Sequence, residues 1–233
     1  MEEMVKLGDI RIMEMLEPEF FGGVLNHNIV IKEGGPSGGL LMIDTGLPGY
    51  LDAIENHLKA WGFSVEDISD IVITHWHHDH SGNASEIRRI SKAKVYAHVN
   101  EIDFLRSPSK YDLSYDDVKD FMQISKQQFE STAKRINELK YESVYVDFPL
   151  KGGEVISKFK VIYVPGHTRG HIALFDGSYL ITGDAVRGVN GVPSPPLRFF
   201  SWDYRLALES YNKLISLPYS VLVPYHGEVI YRW

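Results

Sequence analysis

The chain contains no cysteine. That excludes disulfides, thiolate metal ligands and cysteine nucleophiles, so any bound metal has to be held by histidine, aspartate or glutamate. Positive charge is in the minority: 24 Lys and Arg stand against 31 Asp and Glu, a net charge of −7. Nucleic-acid backbones are gripped by clustered basic residues, so a dedicated nucleic-acid binder is not expected. No apolar run approaches the roughly 18 residues of a membrane span. The acidic start MEEMVKLGDIRIMEM lacks the basic-then-apolar layout of a signal peptide. A soluble cytoplasmic protein with no membrane partner is the expectation. Also missing are Ser/Gly-rich linkers, internal repeats and a G-x-S-x-G nucleophile turn. With 233 residues, 44% of them hydrophobic, the chain can bury a sizeable core, and a single domain over residues 1–233 is expected.

What is present is a set of short runs rich in Val, Ile and Leu between glycines and prolines. IRIMEML, GVLNHNIVI, GLLMID, DIVIT, AKVYA, ESVYVDF, KVIYV, IALF, SYLIT and SVLVP each read as a strand. Residues 49–61 place Leu51, Ile54, Leu58 and Trp61 three or four apart, a helical stripe. Residues 203–217 repeat that pattern with Leu206, Leu208, Tyr211, Leu214 and Ile215, and Ser201 or Asp203 is the cap. A mostly helical insertion covers about residues 100–142. Val118, Phe121, Phe129, Ala133 and Ile136 within it read as a helix or helix pair packed on the core, with the further option that it roofs an active site. The Gly- and Pro-rich segment RGVNGVPSPPLR, residues 187–198, reads as a loop.

Five apolar runs stop and are followed at once by a side chain that can bind metal. IVIT leads to His75, VIYVPG to His167, YLITG to Asp184, VLVPY to His226 and LLMI to Asp44. Strand ends anchored in a core hold side chains rigidly. Turn chemistry accounts for Asp44 alone but not for three histidines. In the stretch ITHWHHDHSGN, an extended backbone points His75 and His77 the same way, and a turn is needed to bring in Asp79 and His80. His78 and Trp76 fall on other faces and read as packing. Since a divalent ion needs more than two protein ligands, His167 would complete one site and His226 a second, with Asp184 shared. Two divalent cations, two carboxylates and one hydroxide sum to about +1, a nearly compensated cluster. Zinc is the first choice for such ligands, and iron and manganese accept the same set.

HWHHDH is similar to the His-x-His-x-Asp-His motif of the metallo-β-lactamase superfamily of metal-dependent hydrolases. Asp44 in IDTG, His167 in PGHTRGH, Asp184 in TGDA and His226 in VPYHGE follow in family order, so the resemblance runs from about Val24 to the C-terminus. It implies an α/β fold, a four-layer αββα sandwich of two mixed β-sheets with helices on the outer faces. It assigns His75, His77 and His167 to one metal, and Asp79, His80 and His226 to the other, with Asp184 bridging. Asp44 and His171 would then support the ligands from behind. Tyr225 stands where many relatives have Gly. His27, His57 and His98 match no ligand motif and are expected to be ordinary surface or loop histidines.

The activity this implies is hydrolysis of an ester, thioester, lactone or related small molecule by a hydroxide bridging two metal ions, with Asp79 and Asp184 catalytic. Asp79 would orient the hydroxide or carry its proton to the leaving group. Two other readings compete: an iron-dependent persulfide dioxygenase with one metal, and a metal-binding protein without turnover. Glutathione-thioester hydrolases of the family add a helical region after the last ligand, whereas VIYRW follows His226 closely here. Phe20, Phe21, Phe199, Phe200, Trp202 and Tyr225 are candidates for an apolar substrate pocket, with Arg187 or Arg198 steadying a carboxylate. The sequence leaves assembly into a homo-oligomer open.

Overall fold

Seven strands form the first sheet of the computed structural model, which describes residues 5–107 and 113–232. They are β1 (Val5–Leu7), β2 (Ile10–Phe20), β3 (Gly23–Glu33), β4 (Leu40–Ile43), β5 (Ile68–Ile73), β6 (Lys94–His98) and β7 (Phe148–Leu150), in sequential order. β1 to β4 pair antiparallel, and β4 to β7 pair parallel. Then come β8 (Val155–Ile156), β9 (Phe159–Tyr163), β10 (Ile172–Phe175) and β11 (Tyr179–Ile181). A separate hairpin, β12 (Arg187–Val189) with β13 (Val192–Ser194), precedes β14 (Val221–Val223) and β15 (Ile230–Tyr231). The second sheet runs β15-β14-β11-β10-β9-β8, with one parallel pair between β11 and β14. The helices are α1 (Leu51–Ala60), α2 (His78–Ser81), α3 (Ala84–Ser91), α4 (Ile102–Arg106), α5 (Tyr115–Met122), α6 (Lys126–Glu138) and α7 (Tyr204–Ile215).

The strand runs are apolar on both faces because both faces are covered. Val30, Leu41, Ile43 and Val72 of the first sheet meet Phe159, Val161, Leu174 and Val223 of the second. Their neighbours Ile29, Ile31, Met42 and Ile73 point the other way, onto Ile54 and Leu58 of α1 and Ile87 of α3. Ala173, Leu180 and Leu222 turn outward from the second sheet onto Leu214 of α7. The result is the four-layer αββα sandwich of two mixed sheets. A slip of one residue in any of these strands would exchange inner and outer faces, so the register is tightly specified.

Helix ends follow the expected chemistry: the Asp203 carboxylate accepts from the Leu206 N–H at 3.0 Å and starts α7. Three features differ from the sequence reading. ESVYVDF is irregular through residue 147, because Val144 is drawn under α4 by a bond to Leu105 O and Asp147 bonds the backbone of Val95. Segment 187–198 contains the hairpin β12–β13, turned by Asn190 and Gly191 at φ 54° and 73°. Positive φ at both turn residues is what a two-residue Asn-Gly hairpin requires. The helical insertion, of which residues 108–112 lie outside the described residues, is split: Leu105 of α4 joins the main core, while α5 and α6 pack away from it. Val118, Ile124 and Phe129 of this region form their own cluster with Phe21 at the β2–β3 tip. The Phe21 N–H donates to Thr132 Oγ1 at 3.0 Å, and Arg135 pairs with Glu17 at 2.7 Å. Among the described residues no helix is long and apolar enough to cross a membrane.

Candidate metal centre

The strand ends β4, β5, β9, β11 and β14 deliver their polar residues to one edge of the sandwich. Behind the centre lies Asp44, in the left-handed region at φ 60°, which aspartate tolerates better than most residues. Its carboxylate accepts from the Thr74 N–H and the Thr74 hydroxyl, both at 2.8 Å, and meets His80 Nδ1 at 2.8 Å. A carboxylate bonded to one imidazole nitrogen turns the lone pair of the other outward. The short α2 supplies the turn that the sequence required: Thr45 N–H bonds His80 O, and Gly82 N–H bonds Gly46 O. A side chain at Gly82 would have its Cβ 2.4 Å from Pro48, so this approach needs glycine.

In front, the nitrogens and oxygens converge. The ligand atoms of His75, His77, His167 and Asp184 lie within 4.8 Å of one another, as do those of His80, Asp184 and His226. Asp184 faces both groups: Oδ2 is 3.4 Å from His167 Nε2, and Oδ1 is 3.2 Å from His80 Nε2 and 3.4 Å from His226 Nε2. Asp79 Oδ2 is 3.1 Å from His226 Nε2 and 3.7 Å from His80 Nε2. His75 Nε2, His80 Nε2 and Asp184 Oδ1 are buried without a hydrogen-bond partner. Buried polar atoms ordinarily find partners, and lone pairs directed at one another are what cations would satisfy. The residues fit a pair of divalent ions.

Protonation suits that role. Burial, reinforced by neighbouring imidazoles, holds His75 and His77 well below the ordinary histidine value, and burial brings His167 down to about 4. For His80 and His226 burial acts the same way but is outweighed, by Asp44, Asp79 and Asp184 for the first and by Asp184 and Asp79 for the second, so both are raised. Asp79 and Asp184 stay ionised: burial opposes their charge, while His80 and His226 hold both below the usual carboxylate range. Ionised carboxylates and mostly neutral imidazoles are the ligating forms.

Other anticipated residues divide. His171 is buried, accepts the Asp184 N–H on Nε2 at 3.1 Å and stacks on His75. Gly183 keeps that contact open, since a Cβ there would be 3.0 Å from the His171 ring. Phe20, Phe21, Arg187 and Phe200 line a cavity of about 540 Å³ whose floor carries His77, Asp79, His167, Asp184 and His226. Three pocket expectations are corrected. Tyr225 is buried against the His80 ring, and its hydroxyl donates to Asp79 O, which locks α2 to the His226 turn and keeps this phenol out of the cavity. Trp202 is 55% exposed beneath Arg169, because its N–H is held by His167 O and its ring turns outward. Phe199 packs edge-on against Phe121 instead of lining the cavity.

Two histidines expected at the surface are also buried. His98 stacks on Tyr163, and His27 lies 3.6 Å from Asp79 Oδ2. A carboxylate that no motif marked sits beneath the centre. Glu101 is fully buried and accepts from the Trp76 N–H and the Gly170 N–H, tying the loop of His75 and His77 to the loop of His167 and His171. Burial pushes its carboxyl up to about 7.

The family model for the metallo-beta-lactamase superfamily matches residues 22–226. A probable metallo-hydrolase of Bacillus subtilis, YflN, is 29% identical over 202 residues, covering 80% of this chain and 75% of that protein. A hydroxyacylglutathione hydrolase of Pseudomonas fluorescens is 29% identical over 119 residues, 51% of this chain and 32% of its own length. Among solved structures, the metallo-beta-lactamase family protein TTHA1429 of Thermus thermophilus superposes with a TM-score of 0.71 at 23% identity, over 97% of this chain and 75% of that one.

Proposed function

The chain belongs to the metallo-β-lactamase superfamily, matched over residues 22–226, and on that premise we propose that it is a metal-dependent hydrolase of small molecules carrying an apolar acyl group. The observation that carries this reading is the placement of two donor groups, joined through Asp184, on the floor of a largely apolar cavity. His75, His77 and His167 would hold one ion, Asp79, His80 and His226 the other, with Asp184 between them. When bound, a pair of divalent ions, zinc by first choice, would polarise the scissile carbonyl and bring the pKa of water from about 15.7 towards 7.

The protein's own residues supply position and exclusion. Phe20, Phe21, Ile124, Phe129 and Ile136 offer an apolar wall to an acyl chain, which fixes the carbonyl relative to the floor and keeps bulk water from it. Asp79, ionised and facing the cavity, is placed to hold a proton on its way to the leaving group. Arg187 is the only lysine or arginine among the described lining residues, and its Nε–H is occupied by Pro195 O at 2.9 Å. Its remaining guanidinium donors can meet an anionic end of the substrate. The relative named hydroxyacylglutathione hydrolase is matched over a third of its length; with the ester and the lactone, this places an acyl thioester among the bonds to test first.

The test is metal analysis of purified protein followed by a screen of acyl esters, thioesters and lactones with zinc, iron and manganese. Two ions per chain and hydrolysis that Asp184→Ala abolishes without loss of fold are expected. A single iron with oxygen consumption, or normal turnover by Asp184→Ala, would overturn the proposal.

A further inference from the structure

His27 lies in the middle of β3, in a polar run Asn26-His27-Asn28 that interrupts an otherwise apolar strand GVLNHNIVI. It is fully buried, and neither ring nitrogen has a hydrogen-bond partner. A buried imidazole left so is unusual, because each polar atom taken from water without a partner costs free energy. The ring is held on three sides by edge contacts with Tyr50, Tyr225 and His226, at 5.7, 5.5 and 5.2 Å between centroids. Its position relative to His226 is fixed by its neighbours. Asn28 Nδ2 donates to Pro224 O and Gly227 O, each at 2.9 Å, and His226 Nδ1 meets Asn26 O at 2.7 Å. Strand β3 and the His226 turn therefore move as one piece.

From this packing His27 Nε2 is aimed at Asp79 Oδ2, 3.6 Å away. That is too long for a hydrogen bond. It is close to the roughly 3.3–3.5 Å expected between two atoms that ligate one ion at about 2.0–2.1 Å in tetrahedral geometry. The ligand atoms of His27, Asp79 and His226 all lie within 4.8 Å of one another. We propose that His27 is a metal-ligating residue, closing with Asp79 and His226 a donor set for a divalent first-row cation at the second position of the centre. This rests on the metal-centre reading above but not on hydrolysis. His226 also belongs to the group with His80 and Asp184, so the second position has more protein donors within reach than the four of a tetrahedral zinc site. Such a set favours ions that accept five or six ligands, manganese(II) or iron(II), relative to its neighbour.

The experiment reads metal binding alone. Wild-type protein, His27→Gln and His27→Ala are stripped with a chelator and titrated with Mn(II) and Zn(II) against a chromophoric competitor, with stoichiometry from elemental analysis. Both variants should keep the first ion unchanged and bind the second at least tenfold more weakly, with the larger loss for Mn(II). A paramagnetic NMR spectrum of the Co(II)-loaded wild-type protein provides a reading that no folding defect can imitate. It should show six imidazole N–H signals carrying the large contact shift of a Co(II)-ligating ring, those of His27, His75, His77, His80, His167 and His226. Equal second-ion affinity in all three proteins, or five such signals, overturns the proposal. Two bound ions without any turnover would sink the hydrolase reading and leave this one standing.

Discussion

If the cavity houses an acyl chain, filling it should shorten the chain the enzyme accepts while sparing the chemistry on its floor. Ala133 lies on α6, lines the cavity and packs against the cluster of Phe21, Val118, Ile124 and Phe129. Ala133→Phe adds six ring carbons to that wall. Each methylene buried is worth about 0.8 kcal/mol, a factor of about 4 in kcat/KM when the burial persists into the transition state. For the wild type, kcat/KM over a series of acyl thioesters from acetyl to dodecanoyl should therefore climb about fourfold per methylene and level off once the cavity, about 540 Å³, is full. In Ala133→Phe, loss of four methylenes of burial removes about 3 kcal/mol, roughly a 200-fold fall for the decanoyl substrate. The acetyl substrate should change less than twofold. Replacing alanine inside a helix costs only about 0.5 kcal/mol of intrinsic propensity, and a thermal melt of the variant checks that. A chain-independent wild type, or a variant slowed equally on acetyl and decanoyl substrates, would refute the assignment of this wall.

Other expectations follow from the supporting residues. Asp44→Asn leaves one acceptor oxygen where Thr74 and His80 present three polar atoms. Metal affinity should fall 10- to 100-fold in a competition titration, and an unchanged value would remove Asp44 from its supporting role. Glu101→Ala strands the Trp76 and Gly170 N–H groups in a buried site. At about 1–3 kcal/mol each, urea unfolding should show a loss of about 2–6 kcal/mol, and a loss under 1 kcal/mol would contradict the loop-tying role. The metal-free protein should also weaken in acid. His27 and His167 titrate near 3 and 4 when folded against 6.5 when unfolded. Between those values the unfolded chain binds more protons, so this stability is complete above about pH 6.5 and is lost as the pH falls towards 4, up to about 3 kcal/mol per group. Glu101, raised to about 7, and the raised His80 and His226 run oppositely, gaining stability as the pH falls, but the lowered histidines, with His75, His77, His78 and His171 among them, outnumber these three. Urea midpoints at pH 7 and pH 4.5 measure the balance, and an equal or higher midpoint at 4.5 would contradict it.

The layers were legible in the sequence because strands buried on both faces leave continuous apolar runs, and α1 and α7 leave stripes at helical spacing. ESVYVDF carries the same composition yet does not pair through residue 147, since Val144 and Asp147 are claimed by Leu105 and Val95. Propensity reports what a surface would bury, and the partner on offer decides whether a ladder forms. The β12–β13 hairpin had a local signal that length and proline content masked: Asn190-Gly191 between Val189 and Val192, with positive φ at both turn positions.

The candidate ligands were legible for a different reason. Each follows a strand end, so its side chain is placed by chain geometry that a sequence displays. His27 and Glu101 act through partners far along the chain, Asp79 and His226 for the first, Trp76 and Gly170 for the second. Only the sandwich brings these partners together. A trace of each was nonetheless present. Three consecutive polar residues, Asn26-His27-Asn28, interrupt a strand whose next residues Ile29, Val30 and Ile31 are wholly buried. Side chains alternate along a strand, so whichever way Asn26 and Asn28 face, His27 must enter the opposite, covered side. A titratable group forced into a covered face must either be neutralised at a cost or be given something to bind. The same physics made Tyr225 and Trp202 misleading. An aromatic beside a ligand in sequence can turn to either side of its backbone, and here the Tyr225 hydroxyl bond to Asp79 O and the Trp202 N–H bond to His167 O fix both rings away from the cavity.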